Sequence, residues 1–69
     1  MAGNVYKLID LTGTSNVSME DAVQVAIAQA AKTVRNMAWF EVTETRGAIK
    51  DQKVAEWQVT LKIGFRIEG

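Results

Sequence analysis

Trp39, Gln58 and two arginines, Arg46 and Arg66, are the side chains of this 69-residue chain best suited to hold a flat, polar molecule. An indole face supplies about 1–3 kcal/mol of stacking to a planar heteroaromatic ring. A primary amide offers one acceptor and two donors, which match a pyrimidine-dione edge with its N–H between two carbonyls. A guanidinium meets a phosphate or stacks in its turn. Catalysis has less to draw on. The chain has no Cys and no His, which removes thiolate nucleophiles, imidazole acid–base chemistry and the commonest metal ligands. Its carboxylates, Glu41 and Glu44 included, read as surface ion pairs. The expected protein is not an enzyme and holds no metal.

The elements that position these residues follow from period and punctuation. Val5 to Thr12 is rich in branched residues and reads as a strand, with Val5, Lys7, Ile9 and Leu11 on one face and Tyr6, Leu8, Asp10 and Thr12 on the other. Gly13-Thr14-Ser15-Asn16 is a turn cluster. Ser18 reads as a helix cap with Asp21 at the reciprocal capping-box position. The helix is expected to run to about Asn36, burying a stripe of Val23, Ala26, Ile27, Ala30, Val34 and Met37. Lys32 and Arg35 then fall near its C-terminal end, where they suit the helix dipole.

Trp39 to Ile49 alternates as a second strand and Val54 to Ile67 as a third, joined by a hairpin whose loop residues are Asp51 and Gln52. That register pairs Phe40 with Ile63, Val42 with Leu61, Glu41 with Lys62, Thr43 with Thr60 and Thr45 with Gln58, and sets Arg46 beside Trp57. Gly47 is a candidate bulge that shifts the pairing beyond it. Strand, helix, strand makes the first two strands parallel, and the apolar third strand fits between them. The expected fold is α+β: a β-α-β-β unit, residues 1–69 as one domain, with an antiparallel sheet in the order first, third, second and one helix on its apolar face.

Consecutive strand residues point to opposite faces, so of Trp39 and Phe40 only one faces the helix. Phe40 shares the apolar side. Trp39 falls on the far face with Glu41, Thr43, Thr45, Gln58, Thr60, Lys62 and Arg66, whereas Trp57 alternates with Val59 and Leu61 on the helix side. Trp39 and Gln58 sit several residues apart along the strands, so bringing both to one ligand calls for the symmetry of an oligomer. A bland alternative stays open: Trp39 is an interface anchor, since Trp is enriched at interfaces.

Composition bounds the rest. Eight basic and eight acidic residues cancel, which argues against nucleic acid or an anionic membrane as partner. No apolar run is long enough to span a bilayer, and Met1-Ala2-Gly3-Asn4 does not read as a signal peptide; a cytoplasmic protein is expected. A chain this short buries only about 60% of its unfolded surface, and without disulfides or metals the usual remedy is self-association.

The order Gly13-Thr14-Ser15, helix, Trp39-Phe40-Glu41-Val42, Arg46-Gly47, Gln58-Val59, Gly64-Phe65-Arg66 closely resembles the dodecins, small flavin-binding proteins of bacteria and archaea, over essentially the whole chain. The resemblance implies a hollow homododecamer that binds flavins (riboflavin, FMN or lumichrome) non-covalently in pairs at two-fold axes, between Trp rings of symmetry-related subunits. It implies Trp39 as the stacking ring, Gln58 on the flavin's pyrimidine edge and Arg46 close to the same pocket. Arg66, Lys32 and Thr33 are further positions, on the phosphate side or at a second ligand. The implied function is flavin storage and suppression of flavin photochemistry. A flavoenzyme is disfavoured, because a flavin covered on both faces leaves no room for a substrate. The alternatives are a structural homo-oligomer or a module for a coenzyme-A-type ligand without flavin.

Overall fold

A computed structural model describes residues 3–68. Strand β1 (Tyr6–Ser15) leads to helix α1 (Met19–Ala30), then to β2 (Met37–Lys50) and β3 (Lys53–Arg66). The sheet order is β1-β3-β2, and β3 runs antiparallel to both neighbours. The β-α-β-β architecture is the one expected. Its hairpin also turns where expected: Asp51 and Gln52 have φ of 52° and 65°, the two positive values that suit a two-residue turn to strand twist.

The first strand does not stop at Thr12. Gly13, Thr14 and Ser15 stay in the sheet opposite Val59, Gln58 and Trp57, and the reversal comes after Ser15. The glycine is needed for contact, not for a turn: a Cβ at Gly13 would collide with the carbonyl oxygen of Ala22 and the Cβ of Ala26. Ser15 makes the corner. Its buried hydroxyl donates to Asp21 Oδ2 at 2.6 Å and accepts from the amides of Val17 and Ser18. Ser18 caps α1 as expected, accepting from the Asp21 amide at 3.0 Å. The Asp21 carboxylate, however, bonds Ser15 rather than returning to the Ser18 amide.

α1 ends at Ala30, six residues before the expected stop at Asn36. Thr33 and Val34 both bond back to the Ala30 carbonyl, at 3.1 and 2.8 Å, in a tight terminal turn, and Asn36 (φ 62°) redirects the chain into β2. Lys32 and Arg35 therefore lie beyond the helix, and its last turn carries no basic residue. The buried line of α1 is Ala22, Ala26 and Ala30, set against Val59, Leu61 and Ile63. The larger side chains of the expected stripe, Val23, Ile27, Val34 and Met37, flank this line and are half-buried. Small residues at the centre let the helix backbone approach the sheet closely.

A 12-residue helix is about 18 Å long, whereas the molecule extends 57 Å. α1 lies over β1 and β3 and covers little of β2, so Phe40 and Val42 on the helix side are 48% and 41% exposed. At the hairpin end Ile49 and Val54 are more exposed still. Apolar surface on both the helix side and the hairpin end is the surface that self-association would cover.

Register is where the sequence reading most needs correction. The hairpin starts with Lys50 opposite Lys53 and Ile49 opposite Val54; then an irregularity between Ala48 and Ile49 shifts the pairing by one. Arg46 consequently faces Gln58 instead of Trp57, Thr45 faces Val59 and Glu44 faces Thr60. A second irregularity between Val42 and Glu44, with Thr43 as the extra residue, restores the expected pairs Val42–Leu61, Glu41–Lys62 and Phe40–Ile63. Between the two bulges β2 swaps faces. Thr45 turns to the helix side, and Glu44 and Arg46 join the polar face.

Candidate functional site

The face away from the helix carries Tyr6, Leu8, Asp10, Thr12 and Thr14 of β1. It also carries Glu56, Gln58, Thr60, Lys62, Gly64 and Arg66 of β3, which follow from the register with β1. Polar pairs tie the strands side to side. Thr12 and Thr60 share a hydroxyl–hydroxyl bond of 2.8 Å, the Thr43 hydroxyl donates to the Thr60 carbonyl at 3.2 Å, and Lys62 Nζ meets Asp10 Oδ1 at 3.1 Å. Lys62 thus bonds Asp10, not the Glu41 expected from the register.

Trp39 stands on this face, as its alternation predicted. It sits opposite Gly64, and the missing side chain there is its seat: a Cβ on Gly64 would penetrate the indole ring. The Tyr6 ring borders it, with centroids 4.8 Å apart and planes tilted by 52°. Pressed on the sheet this way, Trp39 still leaves 45% of its surface exposed. Trp57 lies on the other side, opposite Gly47 and Ser15, and is half-buried. It is not among the side chains packed on the alanine–valine core, because it sits on β3 near the hairpin end.

Gln58 lies farther along β3, with the Arg46 guanidinium beside it: Arg46 Nε donates to Gln58 Oε1 at 2.7 Å. Arg46 Nη1 pairs with Glu44 Oε1 at 2.6 Å, and Gln58 Nε2 donates to Glu56 Oε1 at 2.9 Å. The expected neighbourhood of Gln58 and Arg46 is therefore present, in the stretch of shifted register between the irregularities at Ala48–Ile49 and Thr43. Trp39 is not part of it within one chain. Six residues of β3 separate Gly64, under the indole, from Gln58, which is about 20 Å at the rise of a strand.

Arg66 occupies the Trp39 end, opposite Tyr6. Its backbone amide bonds the Asn36 carbonyl at 3.1 Å, and the residue is among those lining a cleft of about 450 Å³ with Lys7, Thr33, Arg35 and Glu68. Three basic residues against one carboxylate, Glu68, give the cleft a net positive lining, which suits an anionic ligand. Lys32 is exposed and is not part of that lining. The contributions of Lys7 and Arg35, like the seat at Gly64, had no signal in the sequence, since both depend on how the loop after α1 returns to the sheet. Among the described residues no group of three or more carboxylates, thiols or imidazoles gathers into a metal site, and no helix is long and apolar enough to cross a membrane.

An antiparallel sheet with a displayed indole and a hydrogen-bonding row that one chain cannot bring to the same ligand defines a class: the subunit of a small-ligand-binding homo-oligomer. Comparison with known proteins agrees. The family model described as Dodecin matches residues 5–68. The dodecin of Thermus thermophilus is 52% identical over 66 residues, covering 96% of each chain. The solved structure of the dodecin from Streptomyces coelicolor superposes with a TM-score of 0.95 at 45% identity, over 100% of this chain and 99% of that one. Calcium dodecin of Mycobacterium tuberculosis is 30% identical over 64 residues, 93% of this chain and 90% of its own. Its structure, described as calcium-chelating with a novel calcium-binding site, gives a TM-score of 0.81 over 93% of this chain and 91% of that one. The chain belongs to the dodecin family, whose members are small-ligand-binding homo-oligomers.

Proposed function

We propose that this protein is a cytoplasmic, dodecameric flavin store that stacks flavins in pairs between Trp39 rings of symmetry-related subunits and quenches their photochemistry. The observation that carries the reading is Trp39 itself: a large indole lying on the bare backbone of Gly64 and nearly half exposed. The donor set fits a flavin. Trp39 offers a π-face, Gln58 keeps one lone pair and one N–H after its bonds to Arg46 and Glu56, and Arg46 has further N–H groups for a ring carbonyl or a phosphate. A bound flavin would supply a light-absorbing ring whose excited state accepts an electron. Trp39 would donate that electron, excluding water from one ring face as it does so. The spacing of about 20 Å along β3 between Gln58 and Gly64, the seat of Trp39, supports an arrangement in which one subunit stacks a given flavin while a neighbour's Gln58 meets its edge.

Titrating the apoprotein with lumichrome, riboflavin, FMN and FAD tests this reading and ranks the ligands. Gln58→Ala is expected to weaken riboflavin binding by about 1–3 kcal/mol while leaving assembly intact; unchanged affinity would remove Gln58 from the site. Gly64→Ala separates stability from binding. The colliding partner is a side-chain ring that can swing aside, so the fold should survive. The indole should lose its seat and riboflavin affinity should fall about tenfold. Parent-like affinity would show that Trp39 does not need that seat.

The cleft of Lys7, Arg35 and Arg66 favours one second reading, a site for the phosphates of a coenzyme-A-type ligand. Calorimetric titration with coenzyme A tests it independently of flavin. Arg66→Ala should abolish that heat and leave riboflavin binding in place.

A further inference from the structure

The amide of Gln58 is held from both ends. Arg46 Nε donates to its oxygen at 2.7 Å, and its nitrogen donates to Glu56 Oε1 at 2.9 Å. Turning the amide over would set its N–H groups against the Arg46 N–H and its oxygen against the Glu56 carboxylate. Two hydrogen bonds would become two repulsions, so one orientation is selected. Arg46 is itself anchored by Glu44 at 2.6 Å. The row Glu44–Arg46–Gln58–Glu56 spans two strands, with the half-buried Gln58 and Glu56 in its inner part.

What this leaves on Gln58 is one lone pair on the oxygen and one N–H on the nitrogen. That pair complements a ring edge in which an N–H adjoins a carbonyl. We propose that Glu56 is a positioning residue for ligand binding: by fixing the Gln58 amide in this orientation, it makes the site select planar rings with an N–H beside a carbonyl. The inference rests on the flavin reading above, since the pyrimidine edge of a flavin carries that pair, and it deepens it. Glu56 acts through Gln58 and need not touch the ligand. Methylation of the ring nitrogen removes the hydrogen and sets a methyl group against the Gln58 oxygen.

A double-mutant cycle on the assembled protein tests this. Glu56→Ala, Gln58→Ala and the double variant are titrated with riboflavin and with N3-methylriboflavin, with Glu56→Gln as the conservative variant. Glu56→Ala should weaken riboflavin about fivefold, whereas Glu56→Gln, whose amide oxygen still accepts, should stay within about twofold of the parent. In the Gln58→Ala background, Glu56→Ala should cost nothing further. The preference for riboflavin over its N3-methyl analogue should shrink in Glu56→Ala. Equal losses in both backgrounds, or parent-like affinity and selectivity in Glu56→Ala, would overturn the positioning role while leaving the flavin reading intact. If Gln58→Ala itself binds riboflavin like the parent, the assignment of Gln58 fails first and the role of Glu56 goes with it.

Discussion

Trp39→Phe is expected to keep flavin bound but let it fluoresce. Phenyl retains a flat apolar face, so the loss of stacking should be about 1 kcal/mol. It is a far poorer electron donor than indole, so an excited flavin against it should emit where the parent complex is dark. Trp57→Phe is the internal control. That ring lies on the helix side of β3, opposite Gly47 and Ser15, away from the face that carries Trp39 and Gln58. Removing part of it should cost some stability through lost packing volume and leave quenching untouched. Fluorescence of the saturated complexes decides between the two rings. Quenching that survives Trp39→Phe and disappears with Trp57→Phe would move the site to the opposite face of the sheet.

Gly13→Val is expected to abolish the folded subunit. A side chain there runs into the backbone oxygen of Ala22 as well as the Ala26 methyl, and backbone cannot swing aside as a ring can. The helix would have to lift from the sheet along the line of Ala22, Ala26 and Ala30, at a cost of about 3 kcal/mol or more. For a chain that buries so few large side chains this should leave no assembled, soluble protein. Gly47→Ala provides the contrast: its Cβ would make one tight contact, with the Glu56 carbonyl at 3.0 Å, so the fold should survive with a modest drop in thermal midpoint. A folded, assembled Gly13→Val by circular dichroism and light scattering would contradict the close helix–sheet contact.

These two glycines mark the limit of what the sequence disclosed. Strict alternation from Ala55 to Ile67 announced the central strand, and Ser18 announced the helix start, because both signals are local. Gly13-Thr14-Ser15 has the composition of a turn. What holds it in the sheet is a helix that arrives later in the chain. The end of α1 was hidden for a similar reason. No Gly or Pro interrupts Ala30 to Asn36, and the stop is made by backbone bonds to Ala30 and the left-handed Asn36.

The candidate site shows the same division. Period two placed Trp39 and Gln58 on one face and Trp57 on the other, and all three hold. Arg46 was a candidate by its guanidinium chemistry and by resemblance, although simple alternation put it on the helix side. The irregularity at Ala48–Ile49 and the extra Thr43 carry it across. Gly47 hinted at the first, one residue early, and nothing in the residue types announced the second. Glu56 occupies an ordinary polar position in the alternating strand; only its bond to the Gln58 amide singles it out.

If two copies of the chain, each contributing one Trp39, complete the flavin site, only the assembled particle holds flavin. Titrating the apoprotein with riboflavin, following flavin emission while light scattering records the mass of the particle, tests it most directly. Quenching should be near complete and saturate at one flavin per chain, on a particle of many subunits and never on a monomer. Riboflavin emission that persists at saturating protein, or quenching by a monomeric chain, would contradict it.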